Sequence, residues 1–342
     1  MAEYRSAFIR QGRCVARALP LSALLQATGQ RLILPFYHLV SDAPEPHVRH
    51  LYPVRTVRQF REDLRYFIAH FQPVGVQDLQ RLMRMGEFPS RPAFLLSFDD
   101  GFRECADVVA PILQEKDLTA IFFLNPAFID NRALFYRCKT SLLIDRMERD
   151  AGLEPRASHI LNEHGLSGAP VRELLLRISY ADRQLLDQLA EALGISFAEY
   201  LDEDKPYLSS RQVEQLKAGG FHLGAHSLDH PLYAGLPLHE QLRQTRESLA
   251  WVRKHFGTDD QLFAFPFTDD GVPVAFFRQL YREAGELDLS FGTAGLKRDI
   301  VPQHLQRIPM EMGALSAREI VQGELLYHLA RKPFGKNQIR RA

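Results

Sequence analysis

The strongest constraint on the fold of this chain is an alternation between short, continuous apolar runs and amphipathic stretches of helical period. RLILPFYHLV, from Arg31 to Val40, is rich in large apolar residues and ends in the turn-forming SDAPEP, which reads as a buried strand. TVRQFREDLRYFIAHF then sets Val57, Phe60, Leu64, Phe67 and Ile68 at helical spacing. PAFLLSF reads as a second strand, and VVAPILQEKD, Val108 to Asp117, as a short helix with Pro111 near its start, where proline is tolerated. TAIFFLN, Thr119 to Asn125, reads as a third strand. Strand, helix, strand, helix, strand points to parallel strands with crossovers, hence an α/β sheet or barrel.

The alternation stops between Asp130 and Pro206, where RCKTSLLIDRMERD and VRELLLRISYADRQLLDQLAEALG are helical by period and no convincing strand intervenes. It resumes at YLSSRQVEQLKAGGFHLGAHS. Ser209 with Gln212 fits a capping box, Gly219 and Gly220 stop the helix, and FHLGA is a strand. The expected organisation is an N-terminal helical segment over 1–30, a first part of the barrel over 31–129, a helical insertion over 130–206, a second part over 207–332 and a basic tail over 333–342.

Two strand ends carry the chemistry. PAFLLSF runs directly into Asp99, Asp100 and Gly101. Neighbouring carboxylates repel, and withdrawing them from water adds a desolvation cost that a cation, hydrogen bonds or a shared proton must offset. Asp-Gly is also a common turn pair, so the fragment alone leaves both readings open. FHLGA continues into AHSLDHPLY, with His226 and His230 four residues apart. Among 13 histidines such a pair is weak by itself, and His222 with His226 has the same spacing. In a parallel barrel, however, residues just after the strands gather on one face. There Asp99, Asp100, His226 and His230 meet, and a metal held by two imidazoles and a carboxylate keeps positions open for water and substrate. One acid then binds the cation while the other accepts a proton from water.

SFDDG followed by HSLDH resembles the first two motifs of the polysaccharide deacetylases, carbohydrate esterase family four, with Ser97 in place of the usual threonine. YHLVSD, the helix beginning at Thr56, and FAFPFTDDG (Phe263 to Gly271) also resemble that family, over about residues 31 to 330. The resemblance implies a distorted (β/α) barrel with fewer than eight strands. It implies a divalent metal, with zinc leading, on Asp100, His226 and His230. Asp99 is then the general base for a metal-activated water that hydrolyses the acetamide of an N-acetylated sugar, in a polysaccharide or glycan precursor of the cell surface. Pro266 and Phe267 fall on the substrate groove, with a backbone N–H near Phe267 serving the oxyanion. The arginine usual near that motif is absent, and Arg307 in HLQRIPME is the substitute. For the acid that protonates the leaving amine, His38 and His304 are the candidates, since His328 sits in a continuous helical pattern capped by Ser316 and Glu319. Two other readings are a C–N hydrolase of a small amide or cyclic ureide and a sugar-binding module whose chemistry has decayed.

Composition narrows the partners. With 42 basic and 42 acidic side chains there is no global field for nucleic acid. Three separated cysteines imply no disulfide framework. The apolar run Leu19 to Leu25 is too short and broken for a signal peptide, and no stretch is long enough to span a bilayer, which places the chain in the cytoplasm. Arg5, Arg10, Arg13 and Arg17 at one end and RKPFGKNQIRRA at the other suggest contact with the inner face of an anionic membrane.

Overall fold

Every pairing in the central sheet of the computed structural model, which describes residues 2–341, is parallel. The hydrogen-bonded order has eight members, and its two ends are His304–Gln306 and Ile308–Pro309. Those ends are consecutive on the chain, separated by Arg307 alone. The first pairs with Leu289–Gly292 and the second with Pro35–Tyr37, so one segment joins both edges and closes the sheet. The ring therefore runs through seven segments: β1 (32–37), β2 (93–98), β3 (Ala120–Leu124), β4 (His222–Ala225), β5 (Leu262–Ala264), β6 (Leu289–Gly292) and β7 (304–309). This is the distorted barrel of fewer than eight strands. A further short strand, Gln72–Pro73, pairs with the start of β2.

Side chains alternate between the two faces of a strand, so the interior of the ring is set by parity. Leu34, Leu95, Ile121, Phe123, Leu262, Ala264, Leu289 and Phe291 form one buried cluster with Leu305 against it. The opposite faces, including Tyr37, Phe98, Phe122, Leu223 and Phe263, pack with the surrounding helices into a second, larger cluster. Burial on both faces explains why these strands read as unbroken apolar runs. The expected capping boxes form at Thr56 with Gln59, Ser209 with Gln212 and Ser316 with Glu319. The segment expected as a helix over Val108 to Asp117 instead begins as a wider π-turn over Cys105–Val109 and tightens to α only over Ala110–Gln114.

Between β3 and β4 the chain forms the helices Tyr136–Arg149, Glu154–Glu163, Val171–Arg177, Gln184–Leu193 and Phe197–Glu203. Leu143, Leu161, Leu175, Leu186 and Leu189 give them an apolar core that is continuous with Phe102, Phe128, Phe135 and Tyr207 beside the barrel mouth. At the other extreme of the chain, the helix Ala2–Ala18 crosses the helix Ala317–Arg331. Gly323 permits that approach: a Cβ there would stand 2.8 Å from Ile9 Cγ2. The basic ends are only partly solvated. Arg5 is buried against Glu324 and Arg341 against Asp269 and Asp299, whereas Arg10, Arg13, Arg17, Lys336 and Arg340 are exposed.

Gly224 in β4 lies where a Cβ would meet the Phe123 ring at 2.5 Å and the Leu262 carbonyl at 2.9 Å. Because one of those neighbours is backbone, Gly224→Ala has to spread the ring. It is expected to lose about 1–3 kcal/mol of unfolding free energy, measured by urea denaturation.

Candidate active site and metal centre

The inward parity of each strand continues past its end. Leu95, Ser97 and Asp99 follow one another on the inner face of β2, and Gly224 and His226 on that of β4. Asp100, the next residue after Asp99, belongs by parity to the outer face. Its φ of 72° breaks the alternation and turns its carboxylate back over the mouth, with Gly101 following at 67°. Ser227 at 66° and His230 at 65° redirect the chain after β4 in the same way, and Phe267 sits at 56°. Left-handed backbone is uncommon for residues other than glycine, and four such residues border one point here.

Asp99, Asp100, His226, His230 and Arg307 are all buried. Arg307 rises from β7 through the interior, with its guanidinium 4.4 Å over the Phe36 ring. It forks onto Asp99, donating from Nη1 to Oδ1 at 2.7 Å and from Nη2 to Oδ2 at 2.8 Å. Nη1 also donates to Ser97 Oγ at 3.0 Å, and Nε donates to the Gly292 carbonyl at 3.3 Å. Burial opposes ionisation of Asp99, but the charge and hydrogen bonds of Arg307 hold the carboxyl below its usual range.

Beside this pair, one atom each of Asp100, His226 and His230 lies within 4.8 Å of the others. Asp100 Oδ1 is 3.1 Å from His230 Nε2 and 3.4 Å from His226 Nε2. His226 Nδ1 faces the Ala264 carbonyl at 2.8 Å, so its proton is there and Nε2 presents a lone pair. Burial, outweighing the attraction of Asp99, lowers His226 to about 4, which keeps the ring neutral. Asp100 Oδ1 is buried without a hydrogen-bond partner. Lone pairs converging on one point from a carboxylate and imidazoles are what a divalent cation satisfies, and the donor set fits one.

His38 ends the inner face of β1. Its Nδ1 is bound to Glu311 Oε2, while Glu311 Oε1 accepts the His38 N–H at 2.9 Å. Burial disfavours the imidazolium, but Glu311 overcomes it and raises His38 to about 9, with Asp100 and Asp99 contributing. Tyr52 packs on the ring at 4.7 Å. His304 is placed differently. In β7 the inward residues are Leu305 and Arg307, so His304 projects outward, where Ser290 Oγ at 2.7 Å and Asp269 Oδ2 at 3.0 Å engage both ring nitrogens. The structure does not bring it to the mouth. Pro266 is buried and Phe267 is 40% exposed, with its ring 4.6 Å from that of His230. His328 is buried within its helix.

Sequence reasoning missed Glu311, Tyr52 and Phe135. Glu311 lies just past the end of β7 and was open to the same strand-end argument that singled out Asp99. Phe135, at the start of the insertion, packs on His230 at 4.2 Å and near Phe267 at 5.9 Å, and no local pattern distinguishes it from core.

Residues 87–285 match the polysaccharide deacetylase family, more than half of the chain. The chain belongs to the polysaccharide deacetylase family. It is a hydrolase that acts on the amide bonds of acetylated sugars. Solved structures share the fold at low identity. The Streptococcus pyogenes deacetylase PplD, in complex with acetate, is 12% identical with a TM-score of 0.54, covering 86% of this chain and 97% of that one. IcaB from Ammonifex degensii is 15% identical with a TM-score of 0.54, covering 87% and 98%. The de-N-acetylase from Aggregatibacter actinomycetemcomitans is 12% identical with a TM-score of 0.51, covering 84% and 97%. No curated protein sequence matches the chain. Polysaccharide deacetylases generally use a divalent metal, and the Asp100, His226, His230 group is this deacetylase's candidate site for one.

Removing Arg307 leaves Asp99 as an uncompensated buried charge. Arg307→Ala is expected to lose about 3–5 kcal/mol of stability by denaturant titration. The loss should be smaller in the double variant Arg307→Ala/Asp99→Asn, where no orphan charge remains.

Proposed function

We propose that this deacetylase hydrolyses the acetamide of an N-acetylated sugar, in a polysaccharide or glycan precursor, with Asp99 as general base and His38 as general acid. The observation that carries the reading is the buried convergence of Asp100, His226 and His230 beside an Asp99 that Arg307 holds ionised. A divalent ion on those three residues, zinc by its N/O donor set, supplies Lewis acidity and a lowered pKa for water.

The remaining work falls to the chain. Asp99 takes a proton from the attacking water. The arginine fork occupies one acceptor site on each of its oxygens, and further lone pairs stay available for that proton. A depressed pKa makes Asp99 a weaker base but keeps it ionised, and the fork fixes its direction. Phe267, held in the left-handed region with its carbonyl tied to Thr293 Oγ1 at 3.0 Å, presents its amide to the oxyanion. His38, protonated because Glu311 stands beside it, gives its proton to the leaving amine. Acetate and a free amine result. The exposed Arg10, Arg13 and Arg17 support a place in the cytoplasm against an anionic membrane face, and no described helix is long and apolar enough to cross a membrane.

Two measurements separate the roles. Asp99→Asn should retain bound metal and lose acetate release by about 10²–10⁴-fold, whereas His226→Ala should lose the metal, read by elemental analysis alongside acetate release from N-acetylated glycans. Full acetate release by Asp99→Asn would sink the base assignment.

The pH profile tests the acid. His38 is protonated below about 9, so kcat should fall as pH rises through that value. Glu311→Gln removes the anion that raises His38, and the alkaline limb should move down toward the ordinary histidine range near about 6.5. An unmoved limb assigns the proton to another group.

A further inference from the structure

Next to the catalytic centre lies a cavity of about 690 Å³ that the proposed chemistry does not use. One wall is the loop carrying Phe267 and Thr268, and the other is the C-terminal stretch from Arg331 to Arg340. Phe267 belongs to both places, since it lines this cavity while its ring packs on the metal ligand His230. A group held here is therefore within the reach of a substrate whose acetamide lies at the barrel mouth.

The charge around the cavity is one-sided. Arg5, Lys297, Arg331, Lys336 and Arg340 line it, against the carboxylates of Asp269 and Asp270. Asp269 is ion-paired with Arg341 at 2.5 Å, which it shares with Asp299, and is bonded to His304. Arg5 is matched by Glu324 at 3.2 Å. Arg331 Nε is buried without a hydrogen-bond partner, an omission that native structures rarely keep without a reason. Burial lowers the Lys297 ammonium, and Arg331 and Arg5 lower it further, which marks the crowding of like charge. Cations gathered in a concave site focus potential on whatever enters. Tyr327 and Phe334, the latter 71% exposed, add aromatic faces beside them.

We propose that this cavity binds a phosphate or diphosphate group carried by the acetylated sugar, which makes the substrate an activated or carrier-linked glycan precursor instead of a neutral polymer. A single carboxylate is satisfied by one arginine fork, whereas cations spread around one cavity match a multiply charged tetrahedral group. The inference rests on the deacetylase reading for its sugar and on the cavity alone for its anion.

Its test separates binding from turnover. Inorganic diphosphate, titrated calorimetrically, should bind the wild type at one site. Arg331→Ala and Lys336→Ala/Arg340→Ala should each weaken it by roughly tenfold or more, while Lys254→Ala, an exposed charge on the distant helix Leu238–Phe256, should not. Acetate release is then compared between a neutral N-acetylglucosamine oligomer, N-acetylglucosamine 1-phosphate, and a prenyl-diphosphate-linked N-acetylglucosamine in detergent. A higher kcat/KM for either phosphorylated substrate, lost in Lys336→Ala/Arg340→Ala, supports the proposal. Preference for the soluble one identifies a free sugar phosphate, and preference for the other a carrier lipid. No diphosphate binding together with equal turnover of all three overturns the proposal and leaves the deacetylase reading intact. Diphosphate binding with no acetate from any substrate supports the anion site and rules out N-acetylglucosamine as the sugar.

Discussion

One residue both closes the barrel and aims a buried carboxylate at its mouth. Arg307 separates the part of β7 that pairs with β6 from the part that pairs with β1, and its side chain crosses the interior to fork onto Asp99 of β2. Its own N–H donates to the Gly292 carbonyl at 3.1 Å, which locks the crossing point to β6. A fully buried guanidinium costs several kcal/mol in desolvation, and only good geometry with complete hydrogen bonding offsets that. Here Asp99, Ser97 and the Gly292 carbonyl accept four hydrogen bonds from it, and the faces of Phe36 and Phe123 flank the cation. The arrangement ties the ionisation of Asp99 to the integrity of the ring. A carboxylate fixed in this way needs no mobile loop to orient it.

The neighbouring acid depends on a different device. Two consecutive residues in extended backbone cannot face one site, so the adjacency of Asp99 and Asp100 poses a geometric problem as well as an electrostatic one. The left-handed φ of Asp100 resolves the geometry, and aspartate tolerates that region better than most side chains. The histidine side repeats the solution at Ser227 and His230. Such conformations persist where surrounding contacts over-determine them. Asn125, the inward residue that follows β3, donates from Nδ2 to the backbone carbonyls of His226 and Ser227. Tyr180 of the insertion donates to Asp229 at 2.6 Å, and Gln244 donates to the same carboxylate at 2.9 Å. The helical insertion thus braces the turn that carries the second histidine and, through Phe135, packs on that histidine's ring.

What was legible in the sequence follows from the same geometry. Apolar runs and capping boxes reveal where strands and helices lie, because burial and cap hydrogen bonds are local demands. Parity within a strand buried on both faces is not local. In HLQRIP both Leu305, which faces inward, and Ile308, which faces the helices, are apolar, so the letters do not say which of His304 and Arg307 enters the barrel. Arg307 does, and His304 is consumed by Ser290 and Asp269 on the outside. Glu311 was open to the strand-end argument, but its partner His38 lies 273 residues away in the chain, and Tyr52 matters only through its packing on that same ring.

The cluster of Asp269, Asp299 and His304 shows how far ligand spacing alone can mislead. Like Asp100, His226 and His230, these residues converge closely enough to hold an ion. Their surroundings differ in one respect. The Arg341 guanidinium is already inside the group, 2.5 Å from Asp269 and 2.6 Å from Asp299, and stacks 4.4 Å over Phe277. A cation is therefore supplied by the chain, the carboxylates are satisfied, and the basic C-terminal stretch is pinned to the loop that bears Phe267. At the barrel mouth, among the described residues, no arginine or lysine pairs with Asp100: Arg307 serves Asp99, and Asp100 Oδ1 is left without a hydrogen-bond partner between two imidazoles. The Asp269, Asp299 and His304 group is therefore a structural ion pair closed by Arg341, whereas Asp100, His226 and His230 stay a candidate metal centre.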